Sequence, residues 1–259
     1  MASESGSLPD SILLGKFAVG ALLMRSAGCV VNDLLDQDFD AKVKRTKSRP
    51  IASGAVKTRE AVALLLTQLS LSFGILITFD WKSILLGSSS LILVGIYPLM
   101  KRITNYPQVV LGMTFNWGVL LGWSVVQQGV LDLPVVLPLY LSSILWTVVY
   151  DTIYAHQDKD DDQMLGLKST ALHFGERTKP ILSGLAVASV AWMICAGYMG
   201  GMGLPFYLVS VGGMSLSYAW QLLTVDLKNS PDCMSKFVSN QYLAACVFAG
   251  ILLDKTFLP

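Results

Sequence analysis

Apolar residues arrive along this chain in long blocks separated by short polar stretches. Eight blocks can be drawn, over residues 11–31, 60–79, 83–100, 108–127, 134–153, 181–200, 205–224 and 238–254. Each approaches the twenty or so residues with which an α-helix crosses a bilayer. Within a block the apolar positions are continuous, not alternating, which argues for helices and against a transmembrane β-barrel. Glycine and proline punctuate the block ends at Pro50, Gly54, Pro98, Pro107, Pro134, Pro180 and Pro205. The predicted fold class is all-α, a polytopic bundle of transmembrane helices. No soluble domain or low-complexity linker interrupts the pattern, so residues 1–259 are read as one membrane domain.

Composition agrees with the pattern. The chain is 53% hydrophobic and only 14% charged, with a mean hydropathy of +0.55, whereas a soluble domain is nearer a quarter charged. The net charge of +1 points to no nucleic-acid partner, but its distribution is informative. Fifteen basic residues fall in loops that follow odd-numbered blocks: Lys42, Lys44, Arg45, Lys47, Arg49, Lys57, Arg59, Lys101, Arg102, Lys159, Lys168, Arg177, Lys179, Lys228 and Lys236. The opposite face holds only Lys82 and Lys255, and Lys16 and Arg25 lie inside the first block. By the positive-inside rule the odd loops face the cytoplasm or the mitochondrial matrix. Cys29, Cys195, Cys233 and Cys246 show no paired spacing and read as small buried hydrophobes. His156 and His173 lack metal-ligand spacing and read as structural.

Two acidic clusters lie on that same basic face. The first runs from Asn32 through Asp33, Asp36 and Asp38 to Asp40; the second from Asp151 through Asp158 to Asp162. Carboxylates beside a bilayer are costly, which makes them candidates for function. If the first helix continues, Arg25, Asn32, Asp36 and Asp40 share one face, at offsets 0, 7, 11 and 15. Asp151, Tyr154, Asp158 and Asp162, at offsets 0, 3, 7 and 11, share another, with Asp160 and Asp161 off it. Like charges one turn apart destabilise a bare helix, and a cation between them reverses that sign. Mg²⁺ takes oxygen ligands and commonly joins one or two carboxylates to substrate phosphates. A calcium loop does not fit, because the sixth position is Ala41 and the twelfth Lys47. The plainer account is a solvated helix end whose acids pair with Lys42, Lys44 and Arg45.

These residues resemble a family. Asn32, Asp33, Asp36 and Asp40 match the Asn-Asp-x-x-Asp-x-x-x-Asp motif of the UbiA superfamily of intramembrane prenyltransferases, and Asp158 and Asp162 match its Asp-x-x-x-Asp motif. The segments Lys47–Ile51, Tyr97–Arg102, Phe115–Gly118, Tyr150–Asp162 and Lys168–Thr170 look like the branch that prenylates 4-hydroxybenzoate in ubiquinone synthesis, closest to its animal mitochondrial members. The family has nine transmembrane helices against the eight blocks here. The expectation is therefore a chain that lacks the family's first helix, with its basic residue.

The resemblance implies a multi-pass protein of the mitochondrial inner membrane with its active site toward the matrix. Its substrates would be an all-trans polyprenyl diphosphate and 4-hydroxybenzoate, and other ubiquinone-synthesis proteins are candidate partners beside membrane lipid. Asn32, Asp36, Asp40, Asp158 and Asp162 would hold Mg²⁺, with Lys101 and Lys168 on the diphosphate. Tyr97 and Tyr154 would face the allylic cation, and Arg102, Arg25 and Asn116 the aromatic acceptor. Arg102 could equally be an interface anchor, Arg25 an internal salt-bridge partner, and Trp117 simple packing. Gly112, Gly118 and Gly122 are read as points of close helix approach or as the border of a lateral opening. Three other readings stay open: a relative using another acceptor such as a naphthoate or homogentisate, a cation or lipid transporter, and an inactive truncated isoform.

Overall fold

A computed structural model describes residues 1, 6, 9–43 and 45–257; Lys44, one of the expected partners of the first acidic cluster, lies outside the described residues. The first helix, α1, spans Ser11–Leu35 and opens on an Asp10 carboxylate that accepts from the amides of Ile12 and Leu13 at 2.7 and 3.2 Å. Those amides have no partner inside the helix, and an acidic N-cap supplies one. A four-residue helix, α2 (Gln37–Asp40), follows a break at Asp36. Then come α3 (Thr58–Leu76), α4 (Trp81–Ile103), α5 (Pro107–Phe115), α6 (Trp117–Val126) and α7 (Leu133–Ala155). A 3-10 turn at His156–Asp158 leads to two short helices, α8 (Lys159–Met164) and α9 (Thr170–Phe174). The long helix α10 (Thr178–Met199), a π-helical turn Phe206–Val211, α11 (Gly212–Thr224) and α12 (Ser230–Phe257) complete the chain.

The eight apolar blocks all become helix. Among the described residues, seven helical segments are long and apolar enough to cross a membrane. The block at 205–224 differs, because it is divided between the π-helical turn and α11. There Ser210 bonds the Val247 carbonyl at 2.8 Å, and a Cβ on Gly250 would stand 2.6 Å from the Ser210 amide nitrogen. The block at 108–127 is likewise broken, between α5 and α6 at Asn116, whose side-chain amide donates to Gly112 O, Ser143 O and Thr147 Oγ1 at 2.8–3.1 Å.

Helix α7 is the hub. It is apolar on all sides, as a helix surrounded by other helices must be, with Val136, Val149 and Ile153 fully buried. Against α10 it makes a reciprocal pair of bonds: Ser142 Oγ donates to Ser189 O at 2.8 Å, and Ser189 Oγ donates to Ser142 O at 2.7 Å. Tyr218 of α11 adds a bond to Ser189 Oγ at 3.1 Å. Small polar residues let membrane helices approach and bond across the gap. Of the three glycines expected to do so, Gly112 does, since a Cβ there would meet the Ile144 carbonyl at 3.0 Å. Gly118 and Gly122 have open space where a Cβ would stand and are no points of close approach, and Gly118 instead borders the large cavity described below.

Loops after odd-numbered blocks gather at one end. Arg45 reaches Asp158 across 113 residues of sequence, Lys168 N bonds Lys101 O at 2.8 Å, and Ser230 Oγ reaches Gln157 at 3.3 Å. At the other end, Asp80 lies beside Gly129, and Gly203 N bonds Asp254 at 2.9 Å. Both acidic clusters therefore stand at the same end of the bundle.

Candidate active site

The acidic ends of α1 and α7 converge on one cavity of about 1290 Å³. Its polar end is walled by Asn32 and Asp33 from α1, Tyr97 and Lys101 from α4, and Asp151, Tyr154, Asp158 and Asp162 from the α7–α8 segment. The four residues expected on the second acidic face all reach it, although the 3-10 turn at His156–Asp158 interrupts the helix between them. Asp160 and Asp161 stay outside, as their offsets required.

The first cluster is arranged differently from a continuous helix. Because α1 breaks at Asp36, Asp36 and Asp40 are buried against the loops and do not line the cavity, whereas Asn32 and Asp33 do. Asp36 receives Lys101 Nζ at 3.1 Å and Arg102 at 3.5 Å. Asp40 and Asp33 share Arg49, whose Nη1 stands 2.8 and 2.9 Å from them. Arg45 crosses to the second cluster: its guanidinium pairs with Asp158, its Nη1 donates to the Tyr154 hydroxyl at 2.8 Å, and it lies 5.1 Å from the Tyr154 ring centre. The hydrogen bond that Arg45 donates to Asp158 raises the Arg45 pKa from its ordinary value, against a burial that works the other way. The loop after α2 is thus stitched over both acidic ends by two arginines four residues apart. Of the partners expected for the first cluster, Arg45 pairs instead with Asp158 of the second and Lys42 forms no ion pair with these acids; Arg49 holds Asp33 and Asp40.

Other expected site residues divide into those at the cavity and those away from it. Lys168 lines it and donates to Ile103 O at 3.1 Å. Arg25 lines it, with its guanidinium 4.9 Å from the Phe115 ring and Nη1 2.9 Å from Cys29 Sγ. Cys29 is exposed on this wall, not packed in the core. Asn116 lines the cavity from the α5–α6 break, and Trp117 beside it donates to Leu86 O at 2.9 Å. Arg102 points elsewhere: it donates to Leu35 O at 2.9 Å, lies 4.9 Å from the Phe39 ring, and is not among the lining residues. His156 and His173 hold Thr152 O and the Tyr106 hydroxyl at 2.8 and 2.9 Å.

Sequence reasoning missed Arg45 and Arg49 as site residues, and it left Asp33, Asp151 and Gln108 unassigned. Asp33 and Asp151 carried a signal, being acids inside the motifs. Gln108 carried none: a lone amide in an apolar block gains meaning only because it lies beside Asp151 while holding the Thr170 amide at 3.2 Å.

The acids suit a hard cation in kind, being carboxylate and amide oxygens with no soft ligand among them. Among the described residues no three acidic, histidine or cysteine side chains stand close enough to enclose an ion alone. Mg²⁺ does not need them to, since it is usually held by one or two carboxylates with waters and substrate phosphates. The same acids already hold guanidinium and ammonium groups, so the positions favour positive charge.

The remainder of the cavity is mainly apolar, with Lys16, Arg25 and a few serines and amides on its wall. It runs between α1, α3, α4 and α6, past Met24, Leu69, Phe73 and Leu91 toward the opposite end of the bundle.

Comparison with known proteins fits this arrangement. A model described as the UbiA prenyltransferase family matches residues 1–248. The mitochondrial 4-hydroxybenzoate polyprenyltransferase of Homo sapiens is 50% identical over 253 residues, covering 98% of this chain and 68% of the relative. Its counterpart in Drosophila pseudoobscura pseudoobscura is 50% identical over 98% of this chain and 63% of its own length, and that of Arabidopsis thaliana is 49% identical over 99% and 63%. The chain thus spans about two thirds of the curated relatives it matches. Among solved structures, a UbiA homolog from Aeropyrum pernix K1 superposes with a TM-score of 0.77 at 27% identity, covering 98% of this chain and 92% of that one. A UbiA homolog from Archaeoglobus fulgidus bound to DMAPP and Mg²⁺ shares the fold, with a TM-score of 0.63 at 20% identity over 90% and 88%.

Proposed function

This chain belongs to the UbiA prenyltransferase family, and on that premise we propose that it moves a polyprenyl group from its diphosphate to the ring carbon ortho to the hydroxyl of 4-hydroxybenzoate, as a multi-pass protein of the mitochondrial inner membrane with its active site toward the matrix. The observation that carries this reading is one cavity with an acidic, cation-ready end and a long apolar remainder. A prenyl diphosphate is a molecule of that shape and polarity.

Asp158 and Asp162, with Asn32 and Asp33, line the cavity and are the residues we assign to magnesium, while Asp36 and Asp40 stand behind them and hold Lys101 and Arg49. Bound there, the metal would supply positive charge for the departing diphosphate. Lys101 and Lys168 line the same end and would meet phosphate oxygens directly. Arg45 and Arg49 stand on the acids and would exchange carboxylate for phosphate partners, which their planar forks match equally well. As the allylic carbon–oxygen bond breaks, the rings of Tyr97 and Tyr154 present electron-rich faces to the cation. Arg25, on the wall below Asn32, is the candidate for the acceptor's carboxylate, with Asn116 behind it. The ring carbon beside the phenol attacks the allylic carbon, and loss of the ring proton restores aromaticity. Asp151 lies in the same wall and is the carboxylate we assign to that proton. The apolar remainder excludes water, which would otherwise capture the cation.

The test is transfer in proteoliposomes from geranyl diphosphate and longer donors, with Mg²⁺, to 4-hydroxybenzoate. Prenylated 4-hydroxybenzoate should form and should vanish with chelator and in Asp158→Ala. Transfer to a naphthoate or homogentisate alone would replace the acceptor, and no transfer to any acceptor would overturn the reading.

A further inference from the structure

Gln108 joins two parts of the polar end of the cavity. It is the second residue of α5, a helix that Pro107 opens, and it is buried yet lines the cavity. Its Oε1 accepts the amide of Thr170 at 3.2 Å. That amide belongs to the turn that brings Lys168 and Ser169 to the cavity wall. The turn is also pinned by Lys168 N on Lys101 O at 2.8 Å and by Thr170 Oγ1 against Thr152 Oγ1 at 2.6 Å. With Oε1 committed to an N–H, the orientation of the side-chain amide is settled, and Nε2 is the atom left for the other side. On that side it donates to the Asp151 carboxylate.

Asp151 lines the cavity from α7. Among the described residues it forms no ion pair, and Lys101, Arg25 and Arg45 act on it as charges from farther off. A carboxylate turns about two side-chain torsions unless something holds it. A donor on one oxygen fixes its plane and leaves the second oxygen free to accept. A neutral amide does this without the full positive charge that would hold a proton away.

Resting on the prenyl-transfer reading above, we propose that Gln108 is the positioning residue for proton removal, its Nε2 holding Asp151 with one oxygen toward the newly prenylated ring carbon. In that step the ring C–H bond breaks, its electron pair returns to the ring, and the proton passes to the free oxygen of Asp151, which becomes a neutral carboxyl group. Gln108 acts only through Asp151.

Gln108→Glu separates the two bonds of this side chain. It keeps the shape and an oxygen for the Thr170 amide, but sets an oxygen against Asp151 in place of the donor. In proteoliposomes with geranyl diphosphate and Mg²⁺, kcat should fall about tenfold or more, while KM for both substrates stays within about twofold of wild type. The decisive readout is the ratio of kcat with ordinary 4-hydroxybenzoate to kcat with acceptor deuterated at the ring carbons beside the hydroxyl. It should be near unity in the wild-type chain, where breaking the allylic C–O bond is the slow step. It should at least double in Gln108→Glu, because proton removal has become slow. Both rates come from one preparation, so the ratio does not depend on how much of the variant is folded. Gln108→Met, which removes both bonds, should show the same rise. A fall in kcat at the wild-type isotope ratio leaves Gln108 a structural role and overturns the proposal. Wild-type kcat in Gln108→Glu overturns it too, and so does wild-type kcat in Asp151→Asn. Absence of transfer by the wild-type chain is a different failure, that of the prenyl-transfer reading itself.

Discussion

Arg25 and Arg102 look alike in the sequence, each a guanidinium inside or at the end of an apolar block and each a candidate for the acceptor. The structure separates them. Arg25 faces the cavity beside Phe115, while Arg102 lies over Phe39 and holds the carbonyl of Leu35 at the helix end. If Arg25 binds the acceptor's carboxylate, Arg25→Ala should raise the KM for 4-hydroxybenzoate roughly tenfold or more, the loss of one charged hydrogen bond. Arg102→Ala should leave that KM within about twofold, since Arg102 does not line the cavity and its contacts are Leu35, Phe39 and Asp36 at the end of α1. Steady-state kinetics on the two variants decide between them, and a larger KM effect at Arg102 would reverse the assignment. The acids show the same limit of sequence reasoning. Asp158 and Asp162 were legible from a one-turn spacing, and both reach the cavity. Asp36 and Asp40 obey the same spacing yet turn toward Lys101 and Arg49, because the helix breaks between Leu35 and Gln37 and spacing predicts a face only while a helix continues.

At the scale of elements, helix existence followed from apolar length, and helix contact did not. Gly112, Gly118 and Gly122 lie in one apolar block with similar neighbours, and only Gly112 meets another backbone. Gly112→Ala should destabilise the protein by about 1–3 kcal/mol, the cost of overpacking. Gly122→Ala should be neutral or stabilising by up to about 1 kcal/mol, because alanine is the better helix former. Unfolding in mixed detergent micelles measures both, and equal effects would remove the close contact between α5 and α7. The break at Asn116 belongs to this scale too. Its side-chain amide spends its donors on Gly112, Ser143 and Thr147, which lets one apolar block become two helices around a cavity wall. Three acceptors converging from α5 and α7 are not visible in a sequence where Asn116 is a lone polar residue.

For the whole molecule, the basic loops give an orientation that can be measured. Ser53 and Ser230 are exposed at the end that carries both acidic clusters, and Lys82 is exposed at the other. In a cysteine-free background, Ser53→Cys and Ser230→Cys should react with an impermeant maleimide from one side of sealed vesicles and Lys82→Cys from the other. Labelling of Ser53→Cys and Ser230→Cys from opposite sides would dismantle the single active-site face. The same scale explains why the arginine stitching was missed. Arg45 and Asp158 are 113 residues apart and lie in loops after different blocks, so their pairing exists only once the loop after α2 folds over the turn that follows α7.

The sequence alone determined the material of this protein: apolar runs long enough to require helices in lipid, basic loops confined to alternate connections, and two acidic motifs on the basic side. Those are local properties, set by hydration and by spacing along one chain, so they can be read before anything packs. Tertiary structure decided which acids open into the cavity, which arginines hold them, where α1 and α5 break, and how deep the apolar chamber runs. Each of those depends on atoms brought together from distant blocks, and packing of that kind is fixed by shape and by partners available in space, not by order along the chain.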